Sequence, residues 1–150
     1  MKMKDFLKGA INMYYMHFET DMSSEMLNEL VKPYLASISS EVYLIAKGVR
    51  SCAWVDLPEE LVIYIEKSII DLFNSEGLYY YVLPFDLMED NEIKKHIQIF
   101  IYRYDWQKKL FIHYINKRDS LTGDFIFGKL LGYSDSSINE FFSKNRINKL

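Results

Sequence analysis

The sequence predicts an α+β domain in which a small, largely antiparallel sheet of about four strands packs with about six helices. Apolar residues recur at helical spacing in several segments, and short runs rich in β-branched and aromatic residues lie between them. A length of 150 residues is that expected of a single domain covering 1–150. The composition, 49% hydrophobic and 26% charged, is typical of a globular protein rather than a disordered one.

The first half of the chain contains three predicted helices and a predicted hairpin. Residues 3–18 and the segment that follows Ser23–Ser24 carry helical apolar stripes, and Pro33 predicts that the second helix is kinked or short. The runs EVYLIA and VRSCAWV, residues 41–46 and 49–55, predict a β-hairpin that turns at Lys47–Gly48. Pro58 opens the next helix, Gly77 ends it, and its buried stripe comprises Leu61, Ile65, Ile69, Leu72 and Phe73.

The second half begins with two predicted strands. LYYYVLPF, residues 78–85, predicts a strand that ends near Pro84. Residues 96–118 are compatible with one long helix, but the β-branched and aromatic character of HIQIFIYRY favours a strand over 96–104. Asp105 then caps a helix whose predicted apolar face comprises Trp106, Leu110, Phe111, Tyr114 and Ile115.

The segment 122–146 predicts a C-terminal helical hairpin. Thr122 and Ser134 stand at the cap positions of two short helices, and Gly132 can take the left-handed conformation that ends the first. Two apolar pairs stand at the spacing of hydrophobic staples: Leu121 with Ile126, and Tyr133 with Ile138.

This segment resembles the DNA-binding helix-turn-helix motif over about 22 residues. Gly128, Gly132 and Ile138 stand at the offsets of the motif's small residue, turn glycine and apolar residue. The resemblance implies that the second helix would read DNA, with Asn139 able to recognise adenine. Its outward side chains also include Asp135 and Glu140, which phosphates repel, and positive charge follows only near Lys144 and Arg146. The alternative, a helical hairpin that closes the core, is therefore preferred.

Charge is distributed unevenly although the net charge is only −3. Residues 56–92 contain ten carboxylates against Lys67, whereas residues 94–118 contain seven Lys or Arg against Asp105. The two segments either neutralise each other within the fold or present an acidic surface to a basic partner. The basic segment also interleaves with aromatic residues, which leaves single-stranded nucleic acid as a minor alternative.

Catalytic, metal-binding and cofactor-binding motifs are absent from the sequence. Cys52 would be a nucleophile only if His17, His96 or His113 served as its base, and a buried structural cysteine is the preferred interpretation. The alternating trio His17, Glu19 and Asp21 could hold a metal only in an extended loop. We therefore expect no cofactor and no metal, and an enzyme with a site assembled from distant residues stays an alternative.

The sequence therefore predicts a small non-catalytic protein that binds another protein, which could be a nucleic-acid-binding host protein. A single cysteine, no signal-peptide pattern and no apolar run long enough to span a membrane predict a cytoplasmic location. The bias towards Ile, Lys, Asn, Phe, Tyr and Met is typical of an AT-rich genome and fits an accessory or inhibitor protein of a phage or plasmid. The candidate partner-binding residues are Glu59, Glu60, Glu89, Asp90, Asp135, Asn139 and Glu140.

Overall fold

The computed structural model describes residues 24–115 and 121–147. The elements in order are α1 (Ser24–Ala46), β1 (Cys52–Pro58), a 3-10 turn (Glu59–Leu61), α2 (Val62–Ser75), β2 (Tyr79–Glu89), β3 (Glu92–Tyr102), α3 (Asp105–Ile115), α4 (Leu121–Leu130) and α5 (Asp135–Ile147). The α+β class is confirmed. The described residues form three strands and five α-helices rather than four and six, and the helix predicted over 3–18 lies outside them.

The three strands form one antiparallel sheet in the order β1-β3-β2. On one face, Val55, Ile99 and their neighbours pack against α1 and α2 in a core that includes Ile38 and Ile65. On the other face, a second buried cluster joins the sheet to α3 and α4 through Cys52, Phe100, Tyr102, Phe111 and Leu130. The sheet therefore lies between two layers of helices.

The hairpin predicted over residues 41–55 is wrong, because 41–46 are the last two turns of α1. Val31, Ile38, Val42 and Ile45 are all buried, and their spacing places them on one helical face against the sheet. This continuous stripe outweighs the local preference of EVYLIA for a strand. The chain does reverse at Lys47–Gly48, where Gly48 has a φ of 72°, but the reversal joins a helix to β1.

Proline has little effect on two elements that it was predicted to shorten. Helix α1 continues past Pro33, whose side chain is exposed. Strand β2 continues past Pro84 to Glu89, four residues beyond its predicted end. Because β2 is an edge strand, it can contain a residue that has no N–H to donate.

The strand-then-helix interpretation of residues 96–118 is confirmed, since β3 ends at Tyr102 and α3 starts at Asp105. Trp106, predicted to face the core, is exposed instead. The buried position falls to the next residue, Gln107, whose Oε1 accepts the backbone N–H groups of Arg103 and Tyr104 at 2.9 Å. Its Nε2 donates to the carbonyl of Ser51 at 2.8 Å. Gln107 therefore connects the start of α3 to the start of β1.

The helix predicted to start after Pro58 is confirmed as the 3-10 turn followed by α2. Gly77 ends it with a φ of 64°. Four of the five residues predicted to form its buried stripe are fully buried, and Leu72 is half-buried.

Candidate functional site

Strands β2 and β3 extend beyond β1 as a two-stranded ribbon, residues 86–95. Strand β1 ends at Pro58, which pairs with His96, whereas β2 and β3 remain paired to Glu89 and Glu92. At about 3.3 Å per residue, the ribbon extends roughly 13 Å past the end of β1. Asp90 and Asn91 turn the chain with φ values of 50° and 62°, a conformation that these two residue types tolerate better than most.

The ribbon exposes a pair of large apolar side chains. Met88 and Ile93 face each other directly across the two strands and are 68% and 65% exposed. Side chains paired in this way lie on the same face of a sheet. The sequence did not predict this pair, because the strand was expected to end near Pro84. The Asp-Asn turn between two alternating apolar runs was the signal that could have located it.

Carboxylates lie on both faces of the ribbon and at its base, with Glu89 and Glu92 on the face opposite to this apolar pair. The 3-10 turn directly follows Pro58, so Glu59 and Glu60 lie at the base of the ribbon. We call the whole group the acidic end; it comprises six carboxylates and two lysines: Glu59, Glu60, Asp86, Glu89, Asp90, Glu92, Lys94 and Lys95. Four of the seven candidate partner-binding residues therefore lie at one end of the sheet.

Electrostatic coupling at the acidic end centres on Lys94. Its Nζ donates to Glu89 Oε2 at 2.7 Å, and this contact raises the pKa of Lys94 and lowers that of Glu89. Glu92 and Glu60 raise the pKa of Lys94 further, which places both within electrostatic reach of it. Glu89 and Glu92 are direct cross-strand partners, an arrangement of like charges that destabilises a ribbon. A positive group brought from outside would relieve this repulsion.

The acidic and basic segments neutralise each other only slightly. Of the ten carboxylates in 56–92, all within the part of the chain that the structure describes, Glu89 alone forms an ion pair. Asp86 lies opposite Lys95 in the strand register. Within the basic segment, Lys109 pairs with Asp105 of the same helix. Most of these carboxylates are therefore not neutralised by a basic residue of the described part of the chain.

The other three candidate residues form a separate group on α5. This helix starts just after Gly132, which approaches Arg50 at the end of β1 that lies opposite Pro58. Asp135 pairs with Lys129 at 2.8 Å, and Glu140 pairs with Lys144 at 2.6 Å. Asn139 is exposed beside them. The seven candidates thus do not form one surface.

Helices α4 and α5 are joined by a tight turn around Gly132. Gly132 has a φ of 85°, and the N–H groups of Gly132 and Tyr133 donate to the carbonyls of Lys129 and Gly128. Ser134 caps α5 by accepting the N–H of Ser137. The predicted turn and second cap are confirmed. Helix α4 starts at Leu121, one residue before the predicted cap Thr122, and these two side chains lie outside the described ones.

Close helix packing explains the small residue of the motif. A Cβ at Gly128 would lie 2.8 Å from Cγ1 and 2.9 Å from Cδ1 of Ile138. Only a glycine therefore lets α5 approach α4 at this distance. The buried Ile138 holds the two helices together, so the three residues that carry the resemblance also carry the packing.

Among the described residues of the basic segment, the positive charges do not line a single groove. Lys94 and Lys95 lie on the ribbon, whereas Lys108 and Lys109 lie on α3. Lys108 sits over the ring of Tyr81, 5.3 Å from its centroid. Lys117 and Arg118 lie outside the described residues. The dispersal of these charges gives no support to a single-stranded nucleic-acid site.

Cys52 has the properties of a structural cysteine. It is fully buried, and its thiol donates to the carbonyl of Leu130 at 2.7 Å. Burial raises the pKa of this thiol to about 12, so it is protonated at neutral pH and a poor nucleophile. Among the described residues, no group of three or more His, Cys, Asp or Glu could hold a metal ion. The trio His17, Glu19 and Asp21 lies outside that part of the chain.

Comparison with known proteins finds no matching family, no similar curated protein and no similar solved structure. Over residues 24–115 and 121–147, no helix is long and apolar enough to cross a membrane. The functional interpretation therefore rests on the surface of the molecule itself.

Proposed function

We propose that this protein acts by binding another protein, and that the acidic end is the contacting surface. The observation that carries the proposal is the exposed pair Met88 and Ile93 on a ribbon whose two faces and base carry six carboxylates. Protein interfaces typically combine a few apolar anchors with a polar rim that excludes water. A partner that fits would offer an apolar depression bordered by Lys and Arg.

The negative charge of the acidic end favours a partner protein with a basic surface. Basic surfaces with apolar or aromatic patches are common in proteins that bind nucleic acid, and an acidic ribbon can occupy such a surface in place of phosphates. We therefore infer a cytoplasmic accessory or inhibitor protein, encoded by a phage or plasmid, that acts on a nucleic-acid-binding protein. The long-range electrostatic attraction between the acidic end and a basic partner would accelerate association, and added salt would weaken this attraction.

The test compares two variants in affinity purification of the tagged full-length protein. Met88→Ser with Ile93→Ser removes the apolar anchors, and Glu60→Lys with Glu92→Lys reverses two exposed charges. Glu92→Lys also places opposite charges across the ribbon, so the fold should tolerate it. The wild type should retain a stoichiometric protein partner, and each variant should weaken its binding by at least about tenfold.

A matched control carries the same change of charge elsewhere. Asp71→Lys with Glu76→Lys alters two exposed carboxylates of α2 and its C-terminal cap, away from the ribbon, and should retain the partner. Excess nucleic acid should compete with the wild type for the isolated partner. Purification of a lone protein under all conditions, or equal loss in the variants and the control, would contradict the proposal.

A second candidate function is DNA recognition by α5. It is supported by the close contact between Gly128 and Ile138, which packs together two helices joined by a short turn, as in a helix-turn-helix. The lysines paired with Asp135 and Glu140 reduce the repulsion that these carboxylates would exert on phosphates. In a mobility-shift assay with genomic fragments at low salt, Asn139→Ala should abolish a specific shift that Asn74→Ala, on α2, leaves unchanged. The absence of any shift would end this candidate.

A further inference from the structure

The ribbon, residues 86–95, presents different side chains on its two faces. Met88 and Ile93 are cross-strand partners on the face that continues the α1 and α2 side of the sheet. Beside them on this face, Asp86 lies opposite Lys95, so this second pair carries no net charge. Two large exposed apolar side chains therefore dominate this face, which we call the apolar face of the ribbon.

The opposite face of the ribbon, which we call the anionic face, carries negative charge. Glu89 and Glu92 lie opposite each other there, because successive residues of a strand point to alternate faces. Lys94 projects from the same face, and both Glu92 and Glu60 raise its pKa, so Glu60 lies within electrostatic reach of this face. Lys94 pairs with Glu89, whereas Glu60 and Glu92 form no ion pair with any of the described residues.

A single strand of nucleic acid divides its chemistry in the same way. Its bases offer apolar faces on one side and its phosphates offer negative charge on the other. Proteins bind such a strand with aromatic side chains that stack on the bases and with a positively charged groove that follows the phosphates. In a duplex the bases are stacked inside, and only their edges are exposed in the grooves. The two faces of the ribbon therefore match a single strand better than a duplex.

The shape of the ribbon favours the same class of partner. Its two strands are about 4.8 Å apart, and it extends roughly 13 Å past the end of β1. A two-stranded ribbon can enter the major groove of DNA, which is about 12 Å wide, so it is much narrower than a duplex. A groove that holds a single strand can accept the ribbon, whereas a surface shaped for a duplex would contact it only in part.

We propose that the partner of the acidic end is a protein that binds single-stranded nucleic acid, and that the ribbon occupies the groove of that strand. Met88 and Ile93 then lie where bases would stack. Glu60 and Glu92 face the basic residues that would otherwise hold phosphates. This inference rests on the function proposed above and names the class of partner.

The first test displaces the labelled full-length protein from its isolated partner with defined oligonucleotides, followed by fluorescence anisotropy. A single strand, oligothymidine or oligouridine, should displace the protein at a concentration at least about tenfold lower than a duplex of the same length does. Equal or better displacement by the duplex, or no displacement by any of the three, would overturn this inference and leave protein binding by the acidic end intact. Purification of a lone protein would overturn both.

The second test separates the two faces by the salt dependence of binding to the isolated partner. Glu60→Gln with Glu92→Gln should make the dissociation constant less sensitive to salt, because these carboxylates take the place of phosphates. Met88→Ser with Ile93→Ser should raise the dissociation constant by at least about tenfold at every salt concentration and leave its salt dependence unchanged.

The matched control for charge is Asp71→Asn with Glu76→Gln, which neutralises two exposed carboxylates away from the ribbon. It should bind the partner as the wild type does, with the same salt dependence. Circular dichroism verifies that all variants fold. A salt dependence that the loss of charge at Glu60 and Glu92 leaves unchanged, or that the control lowers equally, would overturn the proposal.

Discussion

The contact between Gly128 and Ile138 leads to a prediction in which one substitution has opposite effects in two backgrounds. In the wild-type chain, Gly128→Ala would place a Cβ within 3 Å of two carbon atoms of Ile138. Overpacking of this kind costs about 1–3 kcal/mol. Alanine in place of a glycine inside a helix recovers about 1 kcal/mol. The net expectation is a loss of about 1 kcal/mol in the free energy of unfolding.

An Ile138→Ala background lacks Cγ1 and Cδ1, the atoms that a Cβ at residue 128 would meet. The effect of Gly128→Ala is then only that of the higher helix propensity of alanine. There, Gly128→Ala should stabilise the protein by about 1 kcal/mol. The two sites should thus show a coupling energy of about 2 kcal/mol, because each substitution changes the effect of the other. Ile138→Ala alone should destabilise the protein, since it removes a buried side chain.

Urea unfolding of the four proteins, followed by tryptophan fluorescence, measures this cycle. Trp54 is a suitable probe because its ring lies 5.1 Å from that of Phe127 on α4. If Gly128→Ala stabilised the wild-type chain as much as the Ile138→Ala variant, α4 and α5 would not be in close contact at Gly128, and this reasoning would be refuted.

Three further predictions concern the residues that support this region. Gly132→Ala should cost about 1–2 kcal/mol, because the φ of 85° disfavours a side chain and the new methyl would meet Arg50 Cγ at 3.3 Å; the shift in the urea midpoint measures it. Gln107→Ala should cost about 2–3 kcal/mol, since it leaves two backbone N–H groups and the carbonyl of Ser51 unpaired, and thermal unfolding should show a matching fall in Tm. Cys52 has a pKa of about 12 in the folded protein against 9.0 for an ordinary thiol, so between these values the unfolded state loses its proton first and stability falls with rising pH. The loss should approach about 1.4 kcal/mol per pH unit in the wild type, and Cys52→Ala should remove this contribution from the stability curve.

Signals confined to a few neighbouring residues were predicted well from the sequence. The turn at Gly132, the cap at Ser134 and the stop at Gly77 each depend on one or two backbone angles that the local residues determine. Periodicity over α2 was equally informative, because its apolar stripe faces a single layer.

The errors arose where tertiary packing outweighed local preference. Residues 41–46 have β-forming side chains, yet Val42 and Ile45 extend a helical stripe that starts at Val31, and the sheet buries that stripe. Gln107 takes the buried position expected for Trp106, since its amide satisfies three backbone groups that an indole could not. No local sequence pattern predicts the hydrogen bond between Gln107 and Ser51, because the two residues are more than fifty positions apart.

The partner-binding role of the candidate residues stays a prediction, but the structure gives their positions. The charges of Glu59, Glu60, Glu89 and Asp90 were evident from the sequence, and the strand register then located them at one end of the sheet. Asp135, Asn139 and Glu140, predicted as outward residues of the second helix, lie apart from them on α5, and the sequence contains no information on this distance. The apolar pair Met88 and Ile93 became evident only once the register of the ribbon was known.

Pro84, in the middle of β2, affects how an extended peptide can pair with this edge of the sheet. An edge strand with a regular row of free N–H groups would invite any extended peptide to pair with it, including the same strand of another copy. Pro84 interrupts that row halfway along β2, so a long incoming strand would lose part of its ladder there. Polymerisation through this edge is thereby discouraged. A partner that covers the whole of β2 therefore gains more from its side chains, which differ from protein to protein, than from its backbone, which does not.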